Sequence, residues 1–453
     1  MQLGMIGLGR MGGNMAKRIA AAGHEVVGYD HSPESDRTVA SLKELVAALK
    51  APRLVWVMVP AGEATDSTIN ELAELLQPGD MIIDGGNSRY TDDARHAAEL
   101  EPKGIHFMDC GVSGGVWGID RGYALMVGGS QGDFESARPI FEALKPEGDS
   151  GLVLAGPVGG GHFAKMVHNG IEYADMQLIA ESYLLLKYIG GFSNDALAGL
   201  FSEWNKGELK SFLIGITADI FREADDLADG SLVDHILDSA AQKGTGRWTS
   251  IESLRQGVDI STITAAAGAR VMSNALEIRK QARDLIEPPA LQRIPDRAAF
   301  AEQVRQALYT AKIIAYAQGF SLMRDASERY GWALDLGSIA AIFRAGCIIQ
   351  ADFLNDITAA FRRDPALSSL LLDEFFRSRL AAGHNSLRAC AAAGLQSGLP
   401  LPAMTNALSY LDQFRGQHVG ANLIQAQRDL FGAHTYERTD RPGVFHHEWR
   451  RNS

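Results

Sequence analysis

The hydrophobic period of this chain changes once, and the change falls at a glycine-rich stretch, "LAGPVGGG", residues 154–161. Before it, short apolar runs alternate with helical stretches. "LGMIGLG", "HEVVGYD", "RLVWVMVP", "DMIIDGGN", "IHFMDCGVSGG" and "ALMVGG" each close on turn residues. That alternation predicts a mostly parallel, doubly wound α/β sheet. After the glycines, out to about residue 417, the periodicity is helical almost throughout. The order predicts a Rossmann-like dinucleotide-binding domain over 1–158 and an all-helical domain over 159–417. A polar, aromatic tail, 418–453, follows them.

The helical part carries a faint internal repeat. "EYADMQLIAESY" recurs as "AYAQGFSLMRDA", and "SFLIGITADIF" (211–221) recurs as "DFLNDITAAF" (352–361). We read a duplicated unit of roughly 140 residues. Matching Tyr173 with Tyr316 puts Leu308 where Lys165 stands and Ala315 where Glu172 stands. Packing of that helix therefore does not by itself demand its polar residues.

Several function classes are excluded by the bulk numbers. The longest apolar run, near "LVWVMVPA", falls well short of the roughly eighteen residues of a membrane span. A strand-like stretch begins almost at Met1 with no basic leader, and Cys110, Cys347 and Cys390 have no paired spacing. A cytoplasmic protein with reduced thiols and no metal site is expected. A net charge of −12 disfavours nucleic acid and anionic membranes as partners. An anionic substrate would need its own local cluster of cations.

"GLGRMG" sets Gly7, Gly9 and Gly12 in G-x-G-x-x-G spacing between a strand and a helix. The first glycine permits the tight turn, the second admits a pyrophosphate, and the third lets helix pack on strand. Asp30 ends the second strand, where a carboxylate can bond the adenosine ribose hydroxyls and repel a 2′-phosphate. No arginine follows until Arg37, so NAD is expected over NADP, although His31 and Ser32 leave NADP open. The alternative for Asp30 is an ordinary turn aspartate.

"KMVHNGIEY", residues 165–173, concentrates titratable groups. At about 100° per residue, Lys165, Asn169 and Glu172 share a helix face flanked by His168 and Tyr173. Met166, Val167 and Ile171 point toward a core. A lysine near a dinucleotide can take a hydroxyl proton as hydride leaves the same carbon, and a protonated glutamate can act as general acid. The competing reading is a solvated, ion-paired helix face. "CGVSGG" (110–115) offers the Ser113 hydroxyl and backbone N–H groups as a carboxylate cradle, or is a simple turn.

Taken together, "GLGRMG", "DGGNS", "GVSGG", "GHFAKMVHNGIEY", "QKGTGRW", "AYAQGF" and "ANLIQAQRDLFGAHTYE" resemble the 6-phosphogluconate dehydrogenase family over nearly the full length. The resemblance implies that Lys165 is the base for the C3 hydroxyl and Glu172 the acid that protonates C1, giving ribulose 5-phosphate and carbon dioxide. It implies that Ser113, Gly114, Gly115, His168 and Asn169 hold the acid end and hydroxyls, with Asn87 near substrate and nicotinamide. Tyr173, Lys243 and Arg270 match the family's phosphate ligands. The tail would reach the other subunit of a homodimer, bringing Arg428 and His434 to its substrate phosphate. The expected nucleotide set is Gly7, Gly9, Arg10, Met11, Gly12, Asp30, Val59, Pro60 and Asn87. Where the best-known members carry an asparagine, an arginine and a hydroxyl residue, this chain reads Asp30, His31, Ser32, as in an NAD-preferring branch.

Two rival readings differ in what they require. A β-hydroxyacid dehydrogenase acting on a small 3-hydroxy acid would share the N-terminal half but lack the duplicated helices, "QKGTGRW" and the basic tail. A catalytically silent dinucleotide-binding sensor would be damaged in the stripe, where Lys165, Asn169 and Glu172 are all present.

Overall fold

The computed structural model describes residues 1–148, 150–242 and 244–449. Seven strands form one sheet: β1 (Gln2–Ile6), β2 (Glu25–Tyr29), β3 (Leu54–Val57), β4 (Met81–Asp84), β5 (His106–Ser113), β6 (Ala124–Gly128) and β7 (Leu152–Gly156). Their order is β2-β1-β3-β4-β5-β6-β7. β1 to β5 run parallel, β6 is antiparallel to β5, and β7 is parallel to β6. The sheet is thus mixed at one edge, and β7 is a strand that the sequence pattern does not announce. Its five residues, "LVLAG", run straight into the glycines read as a junction. The strand order reverses at β1, with β2 on one side and β3 on the other, which opens the crevice where doubly wound sheets bind nucleotides.

The helix Gly160–Leu184 follows β7 and lies against the sheet. Glycines set how close it comes. A Cβ on Gly161 would sit 2.3 Å from the Met126 carbonyl oxygen, and one on Gly111 would sit 2.4 Å from the Lys165 Cβ. The buried Asp109 carboxylate accepts the Gly159 and His162 N–H groups at 2.6 and 2.7 Å, supplying the N-terminal cap that the glycines cannot.

Two long helices, Gly160–Leu184 and Arg297–Tyr330, pack together in the helical part. Lys312 and Asp175 pair between them at 2.8 Å, both about 1% exposed. The shorter repeat segments form helices Phe212–Arg222 and Leu354–Arg363, and the residues just before them meet in an antiparallel bridge, Ser211 with Ala351. In the second copy Leu308 and Ala315 are fully buried. The face that is core there carries Lys165 and Glu172 in the first copy.

Aromatic rings lock the two parts together. Tyr90, at the start of the helix Tyr90–Leu100, has its ring 5.1 Å from Phe163, 5.9 Å from Tyr330 and 5.7 Å from Trp332. The tail folds as a helix, Ala421–Gly432, and a small hairpin, Tyr436–Glu437 with Val444–Phe445. Its centre is the buried Asp429, which accepts hydrogen bonds from the Thr435 and His447 N–H groups and the Trp449 indole. Yet Leu423, Ile424 and Phe431 on this tail stay largely exposed. Among the described residues no helix is long and apolar enough to cross a membrane. The three cysteines are free and buried.

Candidate active site

The glycine loop after β1 divides its work as the spacing predicts. Gly7 has φ +88°, and a Cβ there would lie 2.4 Å from the Met58 carbonyl oxygen. A Cβ on Gly12 would lie 1.9 Å from the Gly7 carbonyl oxygen, so helix and strand touch at that point. A Cβ on Gly9 would meet nothing within 4 Å, leaving open space at the N-terminus of the helix Arg10–Ala21. These features fit a dinucleotide pyrophosphate. Arg10 and Pro60 are exposed beside the loop, and Met11 and Val59 are half-buried.

Asp30 is held firmly. One carboxylate oxygen accepts the Leu8 N–H at 2.6 Å and the other accepts the Ser32 N–H at 2.8 Å. His31 and Ser32 are exposed. The first arginine after Asp30 in the sequence is Arg37, and the fold brings it back alongside. Arg37 donates to the Asp30 carbonyl at 3.4 Å, because the Thr38 N–H bonds back to the Gly28 carbonyl and turns the chain along β2.

On the helix Gly160–Leu184 the polar stripe is real and mostly buried. His168 Nδ1 lies 3.4 Å from Lys165 Nζ, 3.3 Å from Asn169 Oδ1 and 3.9 Å from Glu172 Oε2. The Asn169 amide donates to Asn87 Oδ1 at 3.4 Å, linking the stripe to the loop after β4. Lys165 is 9% exposed, whereas the Glu172 side chain keeps 22%. Burial pushes the Lys165 ammonium below its usual range, with Glu172 and Cys347 partly opposing. Burial also pushes the Glu172 carboxyl up, opposed by Lys165 and Arg270. Buried beside Lys165, His168 is held well below the usual histidine range and is neutral. The stripe therefore offers an amine easier to deprotonate and a carboxyl easier to keep protonated.

Strand β5 ends at this stripe. Ser113 is buried, and its hydroxyl and His168 Nε2 have no hydrogen-bond partner among the described residues. Gly114 and Gly115 follow with φ +141° and +56°, a turn that side chains would resist. The Arg270 guanidinium covers the Tyr173 ring at 3.5 Å. A Cβ on Gly246 would lie 2.5 Å from that same ring, which brings the "GTGRW" stretch to Tyr173. Lys243 lies outside the described residues. Arg428 and His434 are exposed on the tail, where Arg428 donates to Gln425 and His434 rests edge-on against Phe431. Among the described residues no hydrogen bond ties those two to the stripe.

Several participants escape sequence reasoning. Phe343 stacks edge-on against His168 at 5.0 Å. The Cys347 thiol lies buried near Lys165 and Ser113, pushed up to about 11 mainly by burial. Both come from the second repeat copy, far away in sequence. His162, Asp93, Asp84 and Asp109 form a buried cluster under the Asn87 loop, of which His162 and Asp84 fall in motifs that sequence singles out, "GHFAKMVHNGIEY" and "DGGNS".

A family model described as the NAD binding domain of 6-phosphogluconate dehydrogenase matches residues 2–147. A second, described as the 6-phosphogluconate dehydrogenase C-terminal domain, matches residues 161–449. The chain belongs to the 6-phosphogluconate dehydrogenase family. Bacillus subtilis (strain 168) has two family members of nearly equal likeness. The protein described as "6-phosphogluconate dehydrogenase, NADP(+)-dependent, decarboxylating" is 46% identical, and the one described as NAD(+)-dependent is 45% identical, each match covering 99% of both chains. A solved Plasmodium falciparum 6-phosphogluconate dehydrogenase, described in its apo form and in complex with NADP+ and with 6-phosphogluconate, superposes with a TM-score of 0.94. It is 38% identical, and the match covers 99% of this chain and 100% of that one. Family membership extends over both the sheet and the helical part, which the small-acid rival does not require.

Proposed function

We propose that this chain oxidises 6-phosphogluconate at C3 and decarboxylates the product to ribulose 5-phosphate and carbon dioxide. One observation carries the reading: a down-shifted lysine and an up-shifted glutamate share a buried helix face beside the Asn87 loop of the nucleotide domain. When bound, the nicotinamide ring supplies the acceptor for the C3 hydride. Neutral Lys165 takes the C3 hydroxyl proton as that hydride departs. Its ammonium then faces the new ketone and stabilises the charge that develops as the β-carboxylate leaves as carbon dioxide. Lys165 passes its proton to the ketone oxygen to give the enediol, and protonated Glu172 then delivers a proton to C1 as the neutral Lys165 amine takes the enediol hydroxyl proton back.

Ser113, Gly114, Gly115, His168, Asn169 and Asn87 hold the acid end and hydroxyls in this reading, and Tyr173, Lys243 and Arg270 take the phosphate. Residues 1–158 would form the nucleotide unit and 159–417 the substrate and dimer unit. We assign action to the cytoplasm, consistent with three free cysteines. Phosphorus NMR of the product tests the reading: 6-phosphogluconate should give ribulose 5-phosphate, and turnover should collapse with unphosphorylated gluconate. Equal use of gluconate would remove the phosphate site.

We assign a homodimer in which the tail crosses to the neighbour, bringing Arg428 and His434 to its substrate phosphate. The exposed apolar side chains of Leu423, Ile424 and Phe431 support it, because an isolated tail would leave them in water. Mixing Lys165→Ala chains with Arg428→Ala/His434→Ala chains tests the crossing. Each parent should be nearly inactive, and randomised mixed dimers should recover roughly a quarter of wild-type activity, one intact site per heterodimer. No recovery would return the tail to its own subunit.

The preferred nucleotide is NAD, because the Asp30 carboxylate would face a 2′-phosphate. Arg37, folded against Asp30, supplies the positive charge that keeps NADP usable. Asp30→Asn with His31→Arg should raise the NADP-to-NAD ratio of kcat/KM by about tenfold or more, through a new charge-assisted clamp. An unchanged ratio would sink the Asp30 argument.

A further inference from the structure

Behind the stripe lies a cluster that the chemistry above does not use. The His162 ring is 1% exposed at the first turn of the helix Gly160–Leu184, one turn before Lys165. Its Nδ1 lies 2.7 Å from Asp93 Oδ2, and its Nε2 lies 3.1 Å from the Gly86 carbonyl oxygen. A carbonyl only accepts, so Nε2 carries a proton and donates. That carbonyl belongs to the peptide bond joining Gly86 to Asn87. The N–H on the other side of Gly86 is also held, by Asp84 Oδ1 at 2.9 Å. A Cβ on Gly86 would meet Asp84 Oδ1 and the Val59 carbonyl oxygen at 3.1 Å, so the turn is already tight.

We propose that His162 is a positioning residue for the reaction: bonded to Asp93 and to the Gly86 carbonyl, it fixes the Asn87 peptide relative to the helix turn that presents Lys165. This rests on the reading of Asn87 and Lys165 as parts of the 6-phosphogluconate site. Asp109 completes the arrangement, since it accepts both the Gly159 and the His162 backbone N–H and so pins the helix start to β5. Two parts of the molecule that contribute reacting groups are thereby referred to one buried ring. A displacement of about 1 Å between them would cost on the order of a hundredfold in rate.

The charged groups acting on His162 are Asp93 from the helix Tyr90–Leu100, Asp84 from β4 and Asp109 from β5. Burial alone would push the imidazole down, but these carboxylates outweigh it and lift it to about 10. Nε2 donates to the Gly86 carbonyl in either state, and the proton between Nδ1 and the Asp93 carboxyl, itself pushed up by burial, is shared within that pair. The ligand atoms of Asp84, Asp93 and His162 lie within 4.8 Å of one another, a spacing suited to a metal ion. Nε2, spent on the Gly86 carbonyl, is not free to bind one.

Two substitutions separate positioning from mere packing. Glutamine can place an amide donor where Nε2 stands and keep the bond to Gly86, whereas asparagine reaches only the Nδ1 position and keeps Asp93. His162→Asn should lower kcat by about 10–100-fold. His162→Gln should stay within about threefold of wild-type kcat, although it loses the Asp93 bond. Thermal unfolding and NAD titration of both variants show whether each is folded. A folded His162→Asn with wild-type kcat overturns the proposal, and so do equal losses in the two variants. If His162→Asn does not fold, His162→Gln decides alone: near-wild-type kcat supports the assignment and a large loss overturns it. Failure of the underlying 6-phosphogluconate reading would look different, because wild type itself would not turn over.

Discussion

Lys165→Ala should lower kcat on 6-phosphogluconate by about four orders of magnitude, since in the proposed mechanism one group acts twice, as base and then as cation. Affinity for NAD should be unchanged, because the glycine loop after β1 and Asp30 remain intact. Lys165→Arg separates the two roles. Arginine keeps the charge but does not give up its proton, so it cannot serve as the base. It should be nearly as inactive as alanine, although it still presents a cation to the departing carboxylate. The pH profile adds a sign. The neutral amine is the active form, so kcat/KM should rise with pH through the Lys165 pKa, which burial sets below the ordinary 10.5. An arginine variant with wild-type kcat would reassign the base.

The second large effect belongs to Glu172→Gln, which retains the shape and hydrogen-bonding reach of the side chain but cannot deliver a proton. Steady-state kcat should fall by about 10²–10³-fold. Oxidation at C3 precedes the step that Glu172 serves, so rapid mixing should show a burst of reduced nucleotide approaching about one per site before the slow phase. In the proposed mechanism the acid form of Glu172 is the active one, and its pKa is raised above 4.5 by burial. Activity controlled by this group is therefore present below the raised pKa and lost as pH climbs through it. That limb should vanish from the glutamine variant's residual rate. A variant with no burst would place Glu172 before hydride transfer, and a wild-type rate would remove it from the chemistry.

Legibility in the sequence followed locality. Gly7, Gly9 and Gly12 reveal their tasks because each depends on its own turn, and the stripe from Lys165 to Tyr173 follows from helix geometry alone. Strand β7 does not show because "LVLAG" is short and merges with the glycines after it. The approach of Arg37 to Asp30 depends on a chain reversal fixed by Thr38 bonding to Gly28, which no pattern of hydrophobicity records. Phe343 and Cys347 arrive at the stripe through packing of the second repeat copy, whose own equivalent of the polar face is buried core. His162 sits inside the "GHFAKMVHNGIEY" motif, yet its meaning lies in Asp93 and Gly86, both supplied by the other domain.

The most direct test is to supply 6-phosphogluconate labelled with carbon-13 at C1, with NAD or NADP, and count labelled carbon dioxide against reduced nucleotide in wild type and Lys165→Ala. The account predicts one labelled carbon dioxide per reduced nucleotide, a larger specificity constant with NAD, and loss of both products together in the variant. Reduced nucleotide without carbon dioxide, or no turnover of the phosphorylated acid alongside turnover of a small 3-hydroxy acid, would contradict it.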